Sequence, residues 1–426
     1  MVPGPLGGLV VRAASWPAAE EAAALLAALG ARTLHTTGLA LAAGGVEIRR
    51  EPTDVATDWA DSGAMTLTGP PDGSPLACTG HPATVARAAG MAVELLTTLA
   101  GTPVCLDGAP LLGARAAITG GTRHGQVSVG GAARLLPTAD GWWALNLSRP
   151  TDLDLVPALL ETGLADEPWP AITAWSTRRT AREATERAAL LGLAAARPGE
   201  TGTVTTPWHI TTHPTSSPAA GTRTRPRVVN LGALWAAPLA ANLLARGGAE
   251  VLDVEHIHRP DGSRHTTPDF YATLHNGHEL ITLDFADPAG RHRLTQLVRS
   301  ADIVIEASRP RALRGLGLDA GTVLADGRRR TWLRITGHGQ RNEHRIAFGD
   351  DAAVAGGLLG WDGPDPHFAG DAIADPLTGL LAAVAAIAVH HRAPHSTIID
   401  LALAEVAAWC APTRSRKPGT GPATKS

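Results

Sequence analysis

Lysine is almost missing from this chain of 426 residues: it occurs at Lys417 and Lys425 only, so nearly all of the 37 basic side chains are arginines. A Schiff-base lysine or a P-loop lysine would have to sit in the folded body, and those mechanisms are excluded there. Cysteine is scarce as well. Cys78, Cys105 and Cys410 are too few and too scattered for a disulfide framework and form no Cys-x-x-Cys pair, which leaves them as expected small buried hydrophobes. Excess positive charge is lacking: a net charge of −3 and a pI near 6.6 exclude the basic footprint of a nucleic-acid binder. No run approaches the ~18 uninterrupted apolar residues of a membrane span. The start, "MVPGPLGGLVVRAASW", has no charged segment followed by an apolar block and a cleavage site. A soluble, cytoplasmic protein without nucleic-acid or membrane partners is expected.

What is present is an alanine-rich chain, 44% apolar, long enough to bury more than one core. "PAAEEAAALLAALG" reads as a helix, with proline in the first turn, Glu20 and Glu21 favourable to the dipole and Gly30 as the stop. "ATVARAAGMAVELLTTLAG" reads as a second helix and "PVCLD" as a short strand. From residue 140 a strand and short helices indicate a small mixed domain. Residues 196–226 are rich in Thr, Pro, Gly and Ser, with neither period, and mark a boundary. Beyond it, "RVVNLG", "EVLDVE", "ELITLDF", "DIVIEA" and "RTWLRITG" read as strands, several separated by helices. That alternation predicts an α/β fold: a mostly parallel, Rossmann-like open sheet with flanking helices, plus a smaller α+β domain. The expected units are an N-terminal region (1–139), the small domain (140–200), a linker (201–226), the sheet domain (227–411) and a disordered tail (412–426).

The first strand-to-helix turn of the sheet domain fails as a dinucleotide site. Gly-x-Gly-x-x-Gly lets a backbone approach pyrophosphate, and this turn holds bulky Leu234 and Trp235 before Pro238. Farther on, "GDAIADPLTGLLAAVAAIA" (370–388) places Asp371 and Asp375 just before a long apolar helix. Read locally, either is an N-cap or loop residue, since aspartate suits both.

Five blocks occur in order: "LWAAPLAANLLARGGAEVLDVEHIHRPDGSR", the segment from "NGHELITLDF" to "RGLGLD", "RITGHGQ", "FGDDAAVAGGLLG" and "GDAIADPLTGLLAAVAAIA". Together, over about residues 227–410, they resemble the family III coenzyme A transferases, the CaiB/BaiF family. The resemblance implies that Asp375, heading Asp-Pro-Leu-Thr-Gly, is a nucleophile that attacks an acyl thioester and then carries coenzyme A as an enzyme thioester. It implies coenzyme A contacts at Ser308, Arg309 and Arg314 after "DIVIEA", at Arg264 in "RPDGSR", at Trp235 in the first turn and at Gly337 in "RITGHGQ". It further implies acyl-CoA and carboxylic acid substrates, no tightly bound cofactor, no metal and a homodimer. The first turn of a helix is expected to keep the Asp375 carboxylate ionised, and Asp371, without a family counterpart, is expected to be a loop residue or cap.

Two departures stand out. Where the family usually reads Asn-Arg-Gly-Lys-Arg, this chain has His275, Asn276, Gly277, His278 and Glu279. Where the racemase branch has Gly-His-Asp, it has Gly349, Asp350 and Asp351, which argues against racemization, although an acyl-CoA racemase or epimerase and a non-catalytic acyl-CoA-binding homologue stay as alternatives. Residues 62–117 parallel the stretch around Asp375 but have His81, Pro82, Ala83 and Thr84 at the nucleophile's position, so this partial copy lacks the chemistry. The small domain precedes the catalytic half instead of following it, implying a rearranged or tandem-derived architecture.

Overall fold

The computed structural model describes residues 4–37, 40–163, 167–216, 225–308 and 310–411; the expected disordered tail lies outside them. The chain opens with β1 (Val10–Ala14), a helix over Pro17–Ala28, then β2 (Arg32–Thr36), β3 (Leu41–Ala43) and β4 (Val46–Ile48). They form a sheet of order β2-β1-β3-β4 in which β1 and β2 are parallel. The long helix Pro82–Leu99 follows, with Pro82 in its first turn. The expected strand "PVCLD" is not one: its Val104 amide donates to Thr97 Oγ1 of that helix, and no strand among the described residues pairs with it. Cys410 is buried as expected, whereas Cys105 is exposed on this unpaired stretch.

The small sheet consists of β5 (Ala133–Thr138), β6 (Gly141–Asn146) and β7 (Ala194–Ala196), all antiparallel, and it begins ahead of the expected boundary at 140. Trp143, Leu145, Val156, Leu159 and Ile172 pack its own core under short helices.

The expected linker contains a strand, β8 (His209–His213), whose β-branched "HITTH" pairs antiparallel with the last strand of the large sheet. That sheet continues with β9 (Arg227–Asn230), β10 (Glu250–His256), β11 (Glu279–Leu283), β12 (Ile303–Glu306) and β13 (Thr331–Thr336). A hairpin, β14 (Leu359–Asp362) and β15 (Asp365–Phe368), intervenes before β16 (Ser396–Ala402). The strand order is β11-β10-β9-β12-β13-β16-β8, and only β8 runs against the rest. Alternation along the strands sends Val228, Ile303, Ile305 and Leu333 to one face, and Val229, Val304 and Trp332 to the other. The chain leaves β9 first toward β10 and β11 and later on its other side toward β12. This creates a crevice beyond the carboxyl ends of β9 and β12, the place where open α/β sheets bind ligands.

Helices 236–246 and 374–392 cover one face. The second is buried on nearly every side, as expected for a helix apolar all round. Its length and composition would suffice to cross a membrane, but 83% of its most apolar window lies inside the protein, as a core helix. Gly379 sets the crossing: a Cβ there would stand 2.7 Å from the Ala236 carbonyl oxygen and 2.9 Å from Leu239 Cβ. The 17–28, 82–99, 236–246 and 374–392 helices share one continuous core, so the N-terminal region is packed into the domain that carries Asp375.

Candidate functional site

Asp375 is the second residue of the 374–392 helix. Its amide donates to the Ala372 carbonyl at 2.9 Å, and Ala372 itself has φ +45°, so a left-handed residue turns the chain into the helix. The Gly349 amide favours the charged form of the Asp375 carboxylate. Gly349 is needed where it passes Ala372, because a Cβ there would meet the Ala372 carbonyl oxygen at 2.3 Å. Asp375 keeps a partly exposed face. It opens on a cavity of about 170 Å³ at the crevice between β9 and β12, shared with Leu234, Ser308, Gly337 and Phe348.

Around Asp375 the chain gathers more acid than base. Asp371, expected as a loop residue or cap, is 1% exposed and forms a two-pronged ion pair with Arg115: Nε donates to Oδ2 at 2.8 Å and Nη2 to Oδ1. The Arg115 guanidinium lies 4.9 Å from the centre of the Trp235 ring. Burial opposes its charge, and bonding to Asp371 together with the charges of Asp371, Asp350 and Asp375 more than offsets this. Asp350 accepts from the Ala372 amide at 2.9 Å, and the Ser128 hydroxyl favours its charged form. Asp351 Oδ1 accepts from Asn146 Nδ2 and the Phe348 amide, both at 3.0 Å, while its Oδ2 is buried without a partner.

Burial pushes Asp350 up to about 6, with the Asp371 charge adding to it and Arg115 opposing. Burial likewise pushes Asp351 up to about 7 against the hydrogen bonds from Phe348 and Asn146. Asp375 is pushed up to about 7 by burial, against Arg115 and with the charges of Asp350 and Asp371 adding. The helix terminus therefore does not keep Asp375 fully ionised; desolvation and two neighbouring acids outweigh the dipole.

The other expected site residues divide. Ser308 and Gly337 line the cavity with Asp375, and Ser308 Oγ is buried without a partner. Gly337 permits a close pass, since a Cβ would stand 2.6 Å from the Ala347 nitrogen. Trp235 is 2% exposed and stands edge-on to Phe270 beneath Arg115, so it supports the site without facing the cavity. Arg264 is turned inward, bonding Glu255 at 2.7 Å and the Tyr271 hydroxyl at 3.2 Å. Arg314 is exposed and pairs with Glu343, itself on the cavity wall. Arg309 lies outside the described residues. Arg115, Ser128 and Asn146 were not foreseen: they come from the N-terminal region and the small domain, Arg115 at the end of the partial copy over 62–117.

The segment that departs from the family pattern folds onto an acid. His275 and His278 place Nδ1 at 2.6 and 2.8 Å from Asp253 Oδ2. Burial would raise the Asp253 carboxyl, and the two imidazoles more than reverse this, holding it well below the usual carboxylate range. The three donor atoms lie within 4.8 Å of one another and could be considered for a metal. The two contacts to oxygen, however, have hydrogen-bond lengths, shorter than the roughly 3.3 Å that separates ligands around a tetrahedral zinc with ~2.0 Å bonds.

Residues 226–424 match the family model for CoA-transferase family III. Over 201 residues the chain is 32% identical to a succinate–glutarate CoA-transferase of Agrobacterium fabrum, a match covering 42% of this chain and 50% of that protein. It is 31% identical over 194 residues to a succinyl-CoA–D-citramalate CoA-transferase of Chloroflexus aurantiacus, covering 42% and 48%. A crystal structure of a CAIB/BAIF family protein from Brucella suis aligns with 28% identity over 43% of this chain and 53% of that one, at a TM-score of 0.40. The chain spans about half the length of the curated relatives it matches.

Proposed function

Because residues 226–424 match the model of CoA-transferase family III, we propose that this protein transfers coenzyme A from an acyl-CoA to a free carboxylic acid, with Asp375 as the covalent carrier. The observation that carries this reading is the position of Asp375, partly exposed on the cavity at the sheet's switch point at the start of its helix. A carboxylate is a weak nucleophile in water. Desolvation and a fixed orientation beside the thioester make it effective.

In the proposed cycle, Asp375 attacks the thioester carbonyl, the C–S bond breaks and coenzyme A leaves as a thiolate, giving a mixed anhydride. The thiolate then attacks the aspartyl carbonyl of that anhydride, releases the donor acid and forms an Asp375 thioester. An acceptor carboxylate attacks this thioester, and the thiolate completes transfer by attacking the acceptor's carbonyl in the new anhydride, which regenerates Asp375. Coenzyme A enters and leaves as part of the substrates, and no other cofactor takes part. Arg115 keeps part of the Asp375 population ionised, and the Ser308 hydroxyl offers a hydrogen bond to the bound acyl-CoA.

Incubation with an acyl-CoA followed by hydroxylamine should yield an Asp375 hydroxamate detectable by peptide mass spectrometry, and Asp375→Ala should abolish both adduct and transfer. Tight acyl-CoA binding with no adduct would replace the transferase reading with that of a binding protein. Incorporation of deuterium at the acyl α-carbon without transfer would replace it with a racemase.

A further inference from the structure

We propose, resting on the transferase reading above, that Leu234 is a contact residue for the coenzyme A arm of every acyl-CoA this protein takes, and that Asp261, backed by His275, is the positioning residue that holds it on the cavity wall.

Leu234 stands in the turn between β9 and the 236–246 helix with φ +71°, a left-handed conformation that suits glycine and is costly for a leucine. The residue is nevertheless 42% exposed, so little packing of its own offsets that cost, and it lines the cavity on which Asp375 opens. A strained backbone persists where its surroundings over-determine it, and here the surroundings are acids. Asp261 is 6% exposed; its Oδ2 accepts from the Leu234 amide at 2.9 Å, and its Oδ1 accepts from the Ser263 amide at 2.9 Å and the Ser263 hydroxyl at 2.7 Å. At the other end of the turn, Asn230 Nδ2 donates to Asp253 Oδ1 at 2.8 Å while Asn230 Oδ1 accepts from the Gly232 amide at 3.0 Å. His275 spans the two acids, with Nδ1 2.6 Å from Asp253 Oδ2 and Nε2 3.8 Å from Asp261 Oδ2. Both ends of the turn are thus tied to carboxylates that one imidazole joins, and the segment that departs from the family pattern acts on the turn from behind.

The cavity wall that Leu234 shares combines alkyl side chains, Ala237, Ile335 and Leu403 among them, with the buried, unpartnered hydroxyl of Ser308. The arm of coenzyme A that leads to its sulfur alternates short alkyl segments with amides, so it can pack on the alkyl groups and bond the hydroxyl. An exposed leucine fixed in a costly conformation on that wall gains its packing when the arm arrives.

Calorimetric titration of the full-length protein with free coenzyme A reads the affinity for this arm without turnover. Leu234→Ala and Asp261→Ala are each expected to raise the dissociation constant about five- to tenfold at unchanged stoichiometry, whereas damage to folding alone would lower the stoichiometry and leave the constant in place. In Leu234→Gly the backbone takes its conformation freely and the side chain is gone, so adding Asp261→Ala should change the constant by less than about twofold. An unchanged constant in Leu234→Ala or in Asp261→Ala would overturn the inference, as would full additivity of Leu234→Gly and Asp261→Ala, while coenzyme A binding by the wild type leaves the transferase reading standing. Absence of binding by the wild type would overturn both. Should Asp261→Ala not fold, Asp261→Asn takes its place: one oxygen must then serve both the Leu234 and the Ser263 amides, and an unchanged constant would overturn the role given to Asp261.

Discussion

Replacing Arg115 by methionine tests the charge arrangement around Asp375 most directly. The Arg115 side chain is 25% exposed and that of Asp371 1% exposed. The substitution keeps most of the volume, removes both prongs of the ion pair and strands the Asp371 charge in the interior. Breaking a buried pair from one side costs about 3–5 kcal/mol. With one partner a quarter exposed, the lower part of that range applies, about 3 kcal/mol, a large share of the ~5–15 kcal/mol that holds a domain together. Urea unfolding at pH 8, followed by far-UV circular dichroism, should register it as a lower midpoint at unchanged slope. Asp371→Asn introduced together with Arg115→Met removes the stranded charge and should recover most of the loss. A cost below about 1 kcal/mol for the single variant would refute the reasoning. So would a double variant as unstable as the single one. In folded Arg115→Met, the acid limb of the rate profile should move above its wild-type position, because the cation favouring Asp375 ionisation is gone.

Three further outcomes follow from the same geometry. In the wild type, kcat/KM should rise with pH through about 7, since the proposed attack by Asp375 needs its carboxylate form and burial favours the acid form; a rate flat from pH 5 to 8 would contradict this. Asp351, raised to about 7, is protonated more in the folded than in the unfolded chain between its ordinary value and 7, so its contribution to stability is full at low pH and is lost as pH rises through about 7. Asp351→Asn keeps the acceptor for Asn146 and Phe348 and should therefore stabilise the protein at pH 8, by about 1–4 kcal/mol, while changing little at pH 4 by the same denaturation assay. Gly379→Ala would drive a methyl group to 2.7 Å from the Ala236 carbonyl, and thermal unfolding should show a loss of about 1–3 kcal/mol.

How much of this was legible in the sequence depended on distance along the chain. The alternation of apolar runs and helical segments from 227 onward located the strands of the large sheet, because each is written in its own residues. "PVCLD" misled because a strand also needs a neighbour, and its Val104 amide finds Thr97 instead. Ser308, Gly337 and Asp375 meet at one cavity because all three lie at strand or helix ends bordering the crevice, where local pattern and topology agree. Arg115, Ser128 and Asn146 had no such signature. Each is an ordinary polar residue in its local context and acquires its role by meeting an acid far away in the chain. The same blindness assigned Asp371 to a loop and Asp375 to a permanently ionised state, since neither burial nor the neighbouring acids can be read from "GDAIADP". Leu234 and Ala372 are instructive in a second way: both have positive φ without being glycine. Each is anchored by its amide on a carboxylate, Asp261 at 2.9 Å and Asp350 at 2.9 Å, so acids here carry out a task that sequence reading assigns to glycine.

The pair of Arg115 with Asp371 joins positions 256 residues apart, which bears on the order of events during synthesis. The arginine emerges from the ribosome early and waits, at ~5–20 residues added per second, roughly 13–50 seconds for its acid. During that interval its guanidinium and the alanine-rich surfaces of the N-terminal helices have no finished neighbour to cover them. When the 374–392 segment arrives, its acids can leave water only where the cation already stands. This ion pair therefore cannot close until residue 371 has been made, and translation arrested before it would release a chain whose oldest part is still waiting for its counter-charge.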